Sequence, residues 1–307
     1  MAQRRLTQSL AKHSYLVLLL PALVLYLCFV ILPFINTIRY SFYEWPGIGE
    51  MTWVGLANYS NMLCGSLSEI FWRAFGHNIY FFFLSTLLQT IVGMFFGLVL
   101  SSNIRGANVF KTIYFIPNVL AIVAVGFLWN LLLNPQWGMV NKLLTTVGLD
   151  SLAKPWLGDP NLAFPTVIMV SVWRGLGFYI LVYLAAITGI PGDLMEAAQI
   201  DGASALDTIR YIHVPLLLPT LLTLVTLNFI WSFEAFDMIF AMQGAMAGPN
   251  YATDVLGTFF YRVTFGGMGA SQSGMGLGAT VTTLMFLIIL PVSLGQVKLR
   301  NRVSSEF

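Results

Sequence analysis

Three ionisable side chains, Arg174, Glu234 and Asp237, stand inside long apolar stretches of this 307-residue sequence. Burying an unpaired charge in hydrocarbon costs several kcal/mol, so a charge kept there is by default a functional residue with a partner or water beside it. Trp173 and Gly177 flank the arginine, and Asn228 precedes the two carboxylates. The chemistry open to this set is recognition. Carboxylates and an amide can exchange hydrogen bonds with the hydroxyls of a polar solute, and an indole offers a ring face to its apolar side. The plainer reading is a buried ion pair that only fixes two helices, with Asp237 at the outer interface. No residue is a candidate for catalysis. There is no His-Glu-x-x-His and no Ser-His-Asp order, and His13, His77 and His213 stand near the ends of apolar runs. Cys28 and Cys64 have no disulfide or zinc spacing, so no metal site is expected. No Gly-x-x-x-x-Gly-Lys-Ser/Thr occurs, so the chain cannot cradle ATP phosphates by that route.

The elements carrying these residues must be membrane helices. Hydrophobic residues make up 57% of the chain and charged residues 9%, against roughly 25% charged in a soluble domain. Six stretches reach the roughly 20 residues that a hydrocarbon core requires: about 14–36, 78–101, 110–133, 163–186, 216–242 and 277–296. The first follows Arg4, Arg5 and Lys12 but is too long for a signal peptide and has no small-x-small cleavage site, so it is expected to stay as a helix. Arg174 lies about 11 residues from the outer end of span four and Glu234 about 18 from the inner end of span five, which puts them within roughly 8 Å of one depth. They can pair directly or across a wet cavity. Gly93 and Gly97 in span two form a small-x-x-x-small pair that allows close helix approach, within the chain or against a partner.

Charge sets the orientation. Arg4, Arg5, Lys12, Arg105, Lys111, Arg210, Lys298, Arg300 and Arg302 fall on short segments at one side, while Arg39, Arg73, Lys142, Lys154 and Arg262 are spread over longer loops at the other. By the positive-inside rule both termini are cytoplasmic. A net charge of +2 with no basic run gives nucleic acid no footprint.

One cytoplasmic connection, 190–215, has too specific a composition for a simple linker. Pro191 opens a helix, Asp193 and Glu196 sit near its positive end, Ala197 and Ala198 propagate it, and Gly202 closes it. A second short helix follows at about 205–212, and Pro215 is expected to turn the chain back into the membrane. The pair forms a compact knob. Glu196, Ala197, Ala198, Gly202, Ile212, Val214 and Pro215 have the spacing of the EAA loop of ATP-binding-cassette importer permeases, with Val214 where leucine is more usual. Asp201 and Ala203 complete the loop's turn. Gly55-Leu56-Ala57-Asn58-Tyr59, Tyr114-Phe115-Ile116-Pro117, Trp129 and Gly138-x-x-Asn141 extend the likeness over about 15–300. Together they resemble the MalF-type, carbohydrate-uptake permeases in their six-span form.

The resemblance implies an all-α membrane protein with the type I ABC importer permease fold, a single transmembrane permease domain over 1–307 in a bacterial inner membrane. It implies import of a sugar, glycoside, polyol or glycerol-phosphate-like solute. The loop 190–215 would couple to two copies of a cytoplasmic ABC ATPase, with ATP and magnesium held there and no cofactor in this chain. A second permease subunit, usually a related chain, and an extracytoplasmic solute-binding protein would complete the assembly. It also implies that Trp173, Arg174, Gly177, Asn228, Glu234 and Asp237 line the solute path. The rival reading is a secondary transporter driven by an ion gradient. Such proteins usually carry internal repeats, and none is evident between 1–150 and 151–307, nor would such a transporter need the loop.

Overall fold

The computed structural model describes residues 18–102, 104–266 and 273–304, so Arg4, Arg5, Lys12, His13 and the first residues of the expected span one lie outside the described residues. Long helices dominate: α1 (Leu18–Tyr40), α3 (Ser68–Ser101), α7 (Pro160–Thr188), α9 (Ala205–Phe233) and α12 (Met275–Ser304) are each long and apolar enough to cross a membrane. Between α1 and α3 lie a two-rung hairpin, β1 (Tyr43–Glu44) with β2 (Thr52–Trp53), and the short α2 (Ala57–Leu63).

The third expected span is not one helix. α4 (Ala107–Val119) and α5 (Ile122–Leu132) meet at 99°. Leu120 and Ala121 are extended, at ψ 143° and 132°, and Pro117 in the last turn of α4 leaves one backbone hydrogen bond unmade there. The fifth span also ends early. α9 stops at Phe233 instead of 242, and after a break at Glu234–Phe236 the chain resumes as α10 (Asp237–Gln243). No glycine or proline causes this break. Phe236 packs on Tyr261 and Phe240, with ring centroids 5.6 and 5.1 Å away, and its Cβ closes on Gly257, so tertiary packing draws the backbone off the helix axis. The second span begins at Ser68, ten residues before the expected 78, because its polar first turns are bonded. Arg73 pairs with the Asp254 carboxylate at 3.7 Å and a His77 ring nitrogen lies 2.6 Å from the Asp254 carbonyl, while Asn78 just after them donates to the Ser232 carbonyl at 2.6 Å and accepts from the Leu256 amide at 2.8 Å.

α3 and α7 form the central seam. An added Cβ at Gly93 would lie 2.9 Å from Tyr179, and one at Gly97 would lie 3.0 Å from Tyr183. The glycine pair thus serves packing within the chain. α1, by contrast, presents Leu18, Leu20, Leu25 and Phe29 outward and has no buried residue in its most apolar window. The remaining helices, α6 (Met139–Thr146), α8 (Gly192–Ile200) and α11 (Leu256–Phe265), lie in the connections.

Candidate functional site

The two broken spans and the central seam enclose a cavity of about 450 Å³. α3 contributes Ser85 and Gln89, α7 contributes Ser171, Arg174 and Phe178, and α9 contributes Asn228, Trp231 and Glu234 at its end. The break in the third span adds Asn118 and Ile122, and α10 adds Asp237. Breaking a helix leaves backbone groups without intrahelical partners at both ends, and here those ends line the cavity.

Arg174 answers one of them. Its Nη2 donates to the carbonyls of Asn118 and Leu120 at 3.3 and 3.2 Å, and its Nε reaches Leu120 at 3.4 Å. The guanidinium therefore caps the C-terminal, negative end of α4. Direct pairing with Glu234 does not occur. The only ion pairs among the described residues are Arg262–Asp254 and Arg73–Asp254. Both meet at Asp254, in the connection after α10. Glu234 and Asp237 are exposed into the cavity with no side-chain partner. Asn228 is 4% exposed and spends its Nδ2 on the hydroxyls of Ser85 at 2.9 Å and Thr86 at 2.7 Å. Gln89, 6% exposed, has a buried Oε1 with no partner.

Arg174, Asn228, Glu234 and Asp237 thus come together around one space. Trp173 and Gly177 stand elsewhere on α7. The Trp173 ring packs edge-on against Trp129 at 5.4 Å, and Gly177 lets the backbone of Tyr114 and Phe115 close against α7. The aromatic wall of the cavity is instead Trp231 with Phe178, 5.7 Å apart.

The knob at 190–215 forms as α8, a turn at Gly202 and the start of α9. Gly202 sits at φ +75°, where an L side chain is strained. The Ala203 amide reaches back to the Ala198 carbonyl at 2.9 Å, and the Gly202 amide to Gln199 at 3.1 Å, which closes the helix end. Ser204 then caps the next helix with a reciprocal pair of bonds to Asp207. Pro215 does not turn the chain. It lies inside a continuous helix, where a π-turn at Ile209–His213 absorbs its missing donor. Glu196, Ala197 and Asp201 are exposed, Ala198 is buried, and Ala203 and Pro215 are half-buried. Ile200 and Leu206 stand 85% and 72% exposed, an apolar tip on a polar knob, as expected of a contact surface.

The family described as the binding-protein-dependent transport system inner membrane component matches residues 89–305. The chain belongs to that family. This permease is 31% identical over 283 residues to YurN, a probable ABC transporter permease protein of Bacillus subtilis, covering 91% of this chain and 93% of the relative. It is 32% identical to the trehalose/maltose transport system permease protein MalF of Thermococcus litoralis, covering 94% and 93%. A chain from the crystal structure of a bacterial alginate ABC transporter, in complex with a periplasmic protein bound to an alginate pentasaccharide, superposes with a TM-score of 0.81 at 26% identity, covering 97% and 98%. The fold is the type I importer permease fold, and the relatives are permease subunits, which sets the secondary-transporter alternative aside.

Sequence reading missed two features of the permease. Gln89, Trp231 and Phe178 look like ordinary span residues until the breaks are seen. Asp254, fully buried, is held by the Arg262 Nη1 and Nη2 at 2.9 and 2.6 Å and by the Thr258 hydroxyl at 2.7 Å, while a His77 ring nitrogen lies 2.6 Å from its backbone carbonyl. Tyr251 lies between two guanidiniums, 5.2 Å from Arg73 and 5.1 Å from Arg262. The signal available was an acid eight residues before an arginine in a connection otherwise poor in charge.

Proposed function

We propose that this permease forms one half of the path by which a sugar or sugar-like solute crosses a bacterial inner membrane, and that the cavity of Arg174, Asn228, Glu234 and Asp237 is this chain's share of the solute site. The observation that carries the reading is two carboxylates without partners facing one cavity at the breaks of two spans. Carboxylates satisfy polyol hydroxyls without any chemistry, and Trp231 and Phe178 offer ring faces to the apolar side of a pyranose. Trp173 and Gly177 act from behind this wall, holding α5 and α4 in place. The trehalose/maltose name of the archaeal relative supports a saccharide.

The exposed knob of α8 supports docking on a separate ATPase, where ATP and magnesium would bind. An ATPase dimer presents two clefts, so a second permease subunit, expected to be a related chain, supplies the other knob. A solute-binding protein delivers the solute at the opposite face, as the assembly named for the alginate relative suggests. Both termini then lie in the cytoplasm, and the whole chain works as one membrane unit. The test is Glu234→Gln, Asn228→Ala and Trp231→Ala in the complete complex in proteoliposomes. Uptake should fall or change its solute preference while ATP hydrolysis with binding protein persists. Unchanged uptake and preference in all three would put the site elsewhere.

A further inference from the structure

We infer that the cavity selects by charge: it admits uncharged or amine-bearing polyhydroxyl solutes and turns away carboxylated or phosphorylated ones. The inference rests on the reading of this cavity as part of the solute path. The charged residues that line it are Arg174, Glu234 and Asp237, so the wall is net negative by one. The single cation is also the group already engaged, with two of its nitrogens on the carbonyl ends of α4, and carbonyls at a helix C-terminus add negative potential of their own. Both carboxylates are free of ion pairs and of side-chain hydrogen bonds.

Hydrogen-bonding groups of both kinds line the wall. The Asn228 Nδ2 is spent on Ser85 and Thr86, and the Ser171 hydroxyl donates to the Val167 carbonyl at 2.9 Å. Gln89 keeps an open acceptor, its Oε1, at a position 94% buried (6% exposed). Donors also remain, on the Arg174 Nη1, the Trp231 indole, the amide nitrogens of Asn118 and Gln89 and the unpartnered Tyr179 hydroxyl, so it is charge and not donor count that sets the preference: the two free carboxylates outweigh the engaged guanidinium. A solute that brings O–H or N–H⁺ groups satisfies the carboxylate oxygens. A carboxylate or phosphate on the solute meets like charge on two of the three charged groups of this wall, which disfavours its ionised form there.

Thiol chemistry tests this without knowledge of the solute. Ser171→Cys is made in a chain carrying Cys28→Ser and Cys64→Ser, both native thiols being exposed, and assembled with cysteine-free partners. The complete complex is treated, at rest and vanadate-trapped, with a cationic trimethylammonium-ethyl and an anionic sulfonato-ethyl methanethiosulfonate, each rate normalised to that with a free thiol in solution. The cation should react at least about tenfold faster than the anion. Adding Glu234→Gln with Asp237→Asn leaves Arg174 as the wall's one charged group and should abolish the cation's advantage or reverse it. Equal rates, a faster anion, or a preference that survives the double neutralisation would each overturn the charge filter while leaving the path in place. A thiol that neither reagent reaches in either state would show a cavity closed to the aqueous route, and would overturn the path together with the filter.

Discussion

Replacing Asp254 by alanine is the sharpest test of how this fold is held at its second connection. The carboxylate is fully buried and faces Arg262, itself 4% exposed, through two bonds of 2.6 and 2.9 Å. At an effective dielectric of about 20, a separation near 2.8 Å corresponds to roughly 6 kcal/mol of attraction, set against a desolvation cost of several kcal/mol per ion. The intact pair is therefore close to neutral. Removing one side is not, because Arg262 is then left buried with the Ala245 carbonyl as its remaining bond, at 3.2 Å, and such losses run at about 3–5 kcal/mol. Taking about 2 °C per kcal/mol for a chain of this size, the detergent-purified complex should unfold on the order of 6–10 °C lower. Near-ultraviolet circular dichroism or dye-monitored melting reads this directly. Asp254→Ala with Arg262→Met should recover part of the loss, since the double mutant leaves no buried Arg262 charge without its counter-charge. A single mutant within about 2 °C of wild type, or a double mutant no better than the single, would refute the account.

Three further outcomes follow from the geometry. Glu196→Lys or Gly202→Asp should detach the ATPase and abolish transport while the chain still inserts, as read by co-purification and uptake, and Gly202→Ala should do so more weakly, because at φ +75° even a methyl is strained by about 1 kcal/mol. Gly177→Ala should destabilise the chain by about 1–3 kcal/mol through overpacking, since its methyl meets the α4 backbone and not a movable side chain, and a melting temperature unchanged from wild type would count against that contact. Thiols introduced at 106 and 204 should label only from the cytoplasm and those at 60, 150 and 250 only from outside, and one reversed site would show a misassigned span.

Much of the fold was legible because a bilayer narrows the choices. Runs such as 14–36 and 163–186 can be little else than spans, and the residues from Pro191 to Gly202 mark the short helix α8 and its closing turn. The broken spans were not legible, for two different reasons. Pro117 is visible, but prolines at 165, 219 and 291 sit within helices that continue, so proline alone does not locate a break. The break after Phe233 has no local signal, because Phe236 leaves the helix for a contact with Tyr261 that only the fold creates. The same limit applies to the site. Arg174 and Glu234 stand out in the sequence as charges in apolar runs and line one cavity, yet an expected depth does not give azimuth. It could not show that the arginine turns to the α4 carbonyls and leaves the glutamate open.

That arrangement connects the breaks to the function. An unbroken third span would keep the carbonyls of Asn118 and Leu120 within its own hydrogen-bond ladder, and Arg174 would then need Glu234 as its counter-ion. A closed pair of that kind would fix α7 to α9 and leave no acceptor for a solute. With the span broken, the freed carbonyls hold the guanidinium, so the helix end and the cation satisfy each other without consuming a carboxylate. The second break, after α9, then sets Glu234 and Asp237 on one wall three residues apart, with the Trp231 ring on the same wall. Neither break stabilises the chain by itself, since each forfeits backbone bonds in a solvent that offers no replacement. Such irregular backbone is tolerated at membrane depth where it lines a polar cavity, and the two breaks here line the same one.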